Sequence, residues 1–147
     1  MKQIYTLFLL FFTLVSCSQK ADFNIQKKAV AEGYDVVSYF SNTAVKGKKN
    51  YATKYQDATF LFSSQENLDT FLASPEKYVP QYGGYCAYAI AVKSEKVSID
   101  PKTFEIRDGK LYLFYNSWGM NTLELWLKEK PENLKQKADK NWCAIKN

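Results

Sequence analysis

Hydrophobic and polar positions change their period along this chain, and the changes mark its elements. Residues 51–55 and 59–62 interleave aromatic with polar positions around Gln56-Asp57, which predicts an antiparallel hairpin. Leu68, Phe71 and Leu72 then fall at helical spacing. Ser63-Ser64-Gln65-Glu66 reads as a capping box opening that helix, with Ser63 as the cap and Glu66 reaching back, and Pro75 is expected to end it. A second hairpin joins residues 104–107 to 110–115 through Asp108-Gly109, the strongest turn signal in the chain. The C-terminal part reads as helical. Asn121-x-x-Glu124 is its cap, Leu123, Trp126 and Leu127 its stripe, and Pro131 restarts a second helix carrying Leu134 and Ala138. Residues 33–40 form an aromatic and β-branched unit, residues 46–50 and Asp100-Pro101 read as turns, and residues 88–92 continue apolar. The sum is an α+β domain, a small antiparallel sheet with helices packed on it.

The first residues obey another logic. Lys2, an apolar run from Leu7 to Leu14 and Leu14-Val15-Ser16 before Cys17 make a secretory signal over residues 1–16, too short for a comfortable membrane span. Leu-Val-Ser-Cys also resembles a bacterial lipobox, which implies cleavage before Cys17 and lipid on its sulfur. The domain would then be membrane-anchored without spanning. Ser18 after the cysteine favours the outer membrane of the cell envelope over the inner. Residues 17–26 are read as the lipidated cysteine and a tether, and residues 27–147 as the domain.

Charge and composition narrow the chemistry. The formal charge is +5, but the basic residues are lysines scattered among acids, with Arg107 the single arginine. An arginine-rich patch for phosphate or nucleic-acid readout is absent, so no nucleic-acid partner is expected. The chain has no histidine, which excludes Ser-His-Asp and Cys-His catalysis and imidazole-based zinc or copper sites. With Cys17 lipidated, Cys86 and Cys143 remain in a compartment that permits disulfides. They could bridge or stand as separate thiols, and spacing does not choose.

The densest chemistry lies in Pro80-Gln81-Tyr82-Gly83-Gly84-Tyr85-Cys86-Ala87-Tyr88-Ala89. Gly83-Gly84 between aromatics suggests a tight turn that places Cys86 inside the domain. Cys86 is then either structural or a working thiol, nucleophilic or metal-binding. Tyr82, Tyr85 and Tyr88 either line a ligand pocket or pack as core. Met120, beside Trp118, offers a thioether for copper(I), with packing as the alternative. Asp35, Asp100 and Asp139 stand next to turn or helix signals and are read as caps.

These motifs together resemble the YHS domain, in its stand-alone bacterial lipoprotein branch. The likeness rests on residues 33–40, Phe62-Ser63-Ser64 with Asn67, Phe71, Pro75 and Tyr78, the Pro80–Ala87 stretch, Asp100-Pro101, Gly109–Leu113 and Ala138-Asp139-x-Asn141-Trp142. In YHS domains attached to copper-transporting pumps and some oxygenase subunits, the strand-to-helix junction carries Cys or His and then a second Cys, which implies metal handling. Here those positions are Ser63 and Asn67, neither a good soft-metal ligand. The resemblance therefore implies a non-catalytic binder of a transition metal such as copper, or of a small ligand, near Cys86. A thiol redox protein using Cys86 with Cys143 is the alternative from the enzyme class. An accessory lipoprotein acting through a protein partner is the third.

Overall fold

The computed structural model describes residues 21–146, so the signal segment and Cys17 lie outside the described residues. A short ladder of β1 (Ile25–Gln26) and β2 (Ala29–Val30) opens the fold. The first hairpin, β3 (Lys48–Tyr55) with β4 (Ala58–Phe62), turns at Gln56 and Asp57, both left-handed, as a two-residue hairpin loop requires. Helices α1 (Gln65–Ala73), α2 (Pro75–Tyr78) and α3 (Ala87–Lys93) come next. The second hairpin is β5 (Asp100–Arg107) with β6 (Lys110–Phe114), turning at left-handed Asp108 and Gly109. A small third hairpin, β7 (Asn116–Ser117) with β8 (Met120–Asn121), leads into α4 (Thr122–Lys128) and α5 (Pro131–Ile145).

The middle layer is the second hairpin. Leu111-Tyr112-Leu113-Phe114 is an unbroken apolar run, and all four residues are buried. Alternation along the strand sends Leu111 and Leu113 into one core with Val36, Tyr39, Phe60, Phe62 and Phe71. It sends Tyr112 and Phe114 into the other, with Ile90, Trp126, Leu134 and Ala138. β4 instead buries alternate positions, Ala58, Phe60 and Phe62, while β3 carries exposed lysines along its length.

Four expectations change. The α+β class holds, but the strands form four separate two-stranded ladders among the described residues rather than one small sheet. Residues 21–26 are not a loose tether. Asn24 is buried and donates to the carbonyls of Gly83 and Gly84, and Phe23 packs edge-on against Phe60. Residues 48–50, read as turn, belong to β3. Pro75 follows the end of α1 as expected, and it also starts α2, where its missing N–H is harmless. The cap of α1 is Ser64, whose hydroxyl accepts from the Asn67 N–H at 3.2 Å, because Ser63 is drawn away to Asp35. The Asn121 cap of α4 forms as expected, accepting from the Leu123 N–H.

Candidate functional site

The glycine turn is built to hold the beginning of the described chain. Tyr82, Gly83 and Gly84 all have positive φ. A Cβ on Gly83 would stand 1.8 Å from the Asp22 carbonyl oxygen, so only glycine lets residues 22–24 run across the turn. Tyr82, buried, donates its hydroxyl to Asp139 at 2.9 Å, and its ring meets Trp142. Burial first, then the Asp139 carboxylate, pushes the Tyr82 phenol well above its ordinary range, so it stays a donor. Asn141 donates to the last carbonyls of α3, Ile90 and Ala91. The Ala138–Trp142 motif is thus a clasp between α5, the turn and α3. Asp139 sits inside α5 as a hydrogen-bond acceptor, not as the cap expected, whereas Asp100 does serve its local turn through the Lys102 N–H.

The turn separates the residues expected to share one site. Tyr82, Gly83, Asp139, Trp142 and Cys143 line one cavity of about 350 Å³. Cys86 faces a different one of about 340 Å³, walled by Tyr88, Ala89, Val97, Tyr115, Met120 and Thr122, with Lys93 also lining it. Tyr85 lines neither; its ring lies near Trp142 and Lys96. Gly84 serves as backbone, accepting from Asn24. Of the expected set, Cys86 alone reaches the second cavity, joined there by Tyr88 and Met120.

Cys86 is fully buried at the floor of this cavity, directly before α3. The Tyr115 N–H donates to its sulfur at 3.4 Å. Its Sγ stands 3.3 Å from Thr122 Oγ1, and the Thr122 hydroxyl donates to the Tyr115 carbonyl at 2.8 Å. The single Thr122 proton is thereby used, so the Cys86 S–H is the donor to Thr122 Oγ1 and the three residues close a ring. Tyr88 donates its hydroxyl to Glu129 at 2.8 Å, and burial and that bond raise its pKa. Neither Thr122 nor Tyr115 stood out in the sequence. Thr122 reads there as the first residue after a helix cap, and no local signal ties it to Cys86.

The junction between β4 and α1 holds a second polar cluster. Asp35 is completely buried, and its Oδ2 accepts from the Ser63 N–H, the Ser63 hydroxyl and the Asn67 amide at 2.8, 2.6 and 2.6 Å. Its Oδ1 accepts from the N–H groups of Val37 and Ser38. Asp35 is therefore more than a local cap. It ties the 33–40 unit to the start of α1.

The chain's own donors can be held against a transition metal. At the junction they are a hydroxyl and an amide already bound to Asp35, hard and neutral where copper prefers sulfur or imidazole. In the Cys86 cavity a thiol and the Met120 thioether are the soft donors. Among the described residues no group of three or more Cys, Asp or Glu could hold a metal ion. These residues do not fit a transition-metal centre. Of the alternatives open for Cys86, a bridge to Cys143 or a separate thiol, the structure has the second: Cys86 is a free, buried thiol and is not bridged to Cys143. The packing is the reason: Cys143, on α5, lines the first cavity, and Cys86, just before α3, lines the second.

No curated protein and no solved structure matches this chain. A family model does, that of the YHS domain, over residues 36–82, less than half of the chain. The matched stretch contains the first hairpin, α1 and the Ser63–Asn67 junction, and stops before Cys86. The residues that line the Cys86 cavity all lie C-terminal to it. Over residues 36–82, then, the chain is similar to the YHS domain.

Proposed function

We propose that this protein is a non-catalytic binding domain, held at the cell envelope by lipid on Cys17, whose ligand is a small, largely apolar molecule seated against Cys86. The observation that carries this reading is a free thiol on the floor of a cavity of about 340 Å³ walled by Ala89, Val97, Met120 and two tyrosines. An apolar concavity with a few convergent polar groups is the ordinary form of a small-molecule site. Thiol redox chemistry with Cys143 as the resolving partner loses support, because Cys143 lines the other cavity. The anchor rests on the lipobox-like Leu14-Val15-Ser16-Cys17, with Ser18 favouring the outer membrane.

One mass measurement tests both halves. The full chain is extracted from membranes in detergent, treated with iodoacetamide without reductant, and weighed intact with its metal content read in parallel. The expected protein starts at a lipid-modified Cys17 and carries an adduct on Cys86. A Cys86 that stays unmodified until the protein is denatured overturns the binding site. A copper ion retained through purification overturns the choice of a small molecule. A Cys17 found without lipid, or oxidised to a disulfide, overturns the anchor, because a thioether sulfur takes no second partner.

A further inference from the structure

We infer that the cleft beside Trp118 is a second binding site, one that takes a neutral carbohydrate. The indole stacks against a sugar ring while Asp100, Asn116, Tyr34 and Lys46 bind its hydroxyls. This site is separate from the Cys86 cavity, and the failure of either leaves the other standing.

Trp118 turns the β7–β8 hairpin in the left-handed region at φ 52°, with Gly119 after it, and 96% of its surface is open to solvent. A bulky side chain is a poor choice at such a turn position, where Asn or Asp is favoured. The matching turn of the β5–β6 hairpin has Asp108 there. With its indole in water, Trp118 gains nothing from packing that accounts for its place. A side chain that strains the turn and takes no part in the core points to a role outside the fold.

Trp118 lines a cleft of about 470 Å³, within the range of small-ligand sites, roughly 300–1,000 Å³. The polar part of this cleft is fixed in advance. Buried Thr103 donates its hydroxyl to Asp100 Oδ2 at 2.8 Å and accepts from Asn116 Nδ2 at 3.1 Å. Asp100 and Asn116 are thereby held to one another, which leaves the Asn116 side-chain carbonyl and further Asp100 lone pairs as acceptors. Tyr34 and Lys46, paired in an isolated bridge, also line the cleft, and their hydroxyl and ammonium have no partner among the described residues. Lys27 and Glu32, the other charged lining residues, pair with each other.

This donor set selects the ligand. A sugar ring presents weakly positive C–H groups to the negative face of an indole, and each of its hydroxyls both donates and accepts. The charges of the cleft cancel, Lys27 against Glu32 and Lys46 against Asp100, which suits a neutral molecule better than an anion. A bilayer fits less well. The neighbours of the indole, Ser117 and Gly119, add no apolar surface, and a lipid surface would draw the Asp100 carboxylate out of water.

The test is tryptophan emission of the full chain in phosphatidylcholine vesicles, with triacetylchitotriose, cellotriose and maltotriose as probes. Subtracting the spectrum of Trp118→Asn isolates the indole at the hairpin tip. Without sugar the difference spectrum should be that of an indole in water, and at least one trisaccharide should shift it to the blue and saturate. Calorimetry should then give binding about tenfold weaker for Trp118→Asn and about fivefold weaker for Tyr34→Phe. Trp118→Asn should melt no lower than the natural protein, because Asn suits the turn. A markedly lower melting point gives the indole a structural role and overturns the inference. A difference spectrum already shifted to the blue by the vesicles alone places the tip in lipid and overturns it too. So does a spectrum that none of the three sugars moves, or calorimetric binding that Trp118→Asn leaves unchanged.

Discussion

Among single residues, Asp35 shows how one buried charge organises a region. Five donors converge on its two oxygens, drawn from Val37, Ser38, Ser63 and Asn67. Charge-assisted hydrogen bonds of this kind are stronger than neutral ones, and they compensate the desolvation of the carboxylate. Asp35→Asn keeps the shape but turns part of the acceptor into an N–H₂ that faces other donors. The expected loss is about 3 kcal/mol of unfolding free energy, read by urea titration, with Ser63→Ala costing about 1 kcal/mol. A near-silent Asp35→Asn would show that the cluster is not what joins the 33–40 unit to α1. The carboxylate also accounts for the displaced helix cap, since Ser63 cannot serve Asp35 and cap α1 at once.

Between elements, the second hairpin is tied to the C-terminal helices by one acidic residue. Glu105 of β5 receives the Trp126 indole N–H from α4 at 2.9 Å and a two-pronged contact from Arg107. The chain's single arginine, Arg107, continues to Glu132 of α5 at 2.9 Å, so Glu105 and Arg107 together link two helices to the hairpin. Trp126 is fully buried, and its N–H has no water to turn to. Glu105→Ala should destabilise the domain by about 2 kcal/mol and alter Trp126 emission, whereas Glu105→Gln, which can still accept from the indole, should cost less. Equal loss in both variants would place the effect in the Arg107 ion pair rather than in the tryptophan. The two hairpins and the α4 cap were legible in the sequence because a two-residue left-handed turn and an Asn cap are decided within a few residues of chain. The β7–β8 ladder, two residues a side, had no such signal.

For the molecule as a whole, the tyrosines set the alkaline limit. Burial, with the carboxylates nearby, holds the Tyr39 and Tyr82 phenols far above their ordinary range, and Tyr85, Tyr88 and Tyr112 shift the same way. In the unfolded chain these groups lose their protons near pH 10, while the folded protein keeps them. Their contribution is thus whole below about pH 10 and falls away as the pH rises toward the folded values. Lys135, raised by its bond to Asp108, acts with the same sign but is screened by solvent. Urea midpoints should hold steady up to about pH 9 and then drop, and Tyr82→Phe should flatten that drop. A midpoint independent of pH across this range would contradict the burial of these phenols. No helix among the described residues is long and apolar enough to cross a membrane.

The α+β class, both main hairpins, the C-terminal helices and the YHS likeness of residues 36–82 could be read from the amino-acid order. Each depends on period, turn chemistry or a motif contained in a short stretch. That order also pointed to Cys86 as the thiol that the Gly-Gly turn would bury. The surroundings of that thiol are a product of the folded packing. Thr122 and Tyr115 lie 36 and 29 residues along the chain from Cys86, and no propensity links them. Packing likewise parted Tyr82 and Cys143 from Cys86: the left-handed turn sends Tyr82 and Cys86 to different cavities, and α5 brings Cys143 to the cavity of Tyr82. Contacts between distant residues come from how whole elements pack, and that information is spread across both cores rather than written at any one position.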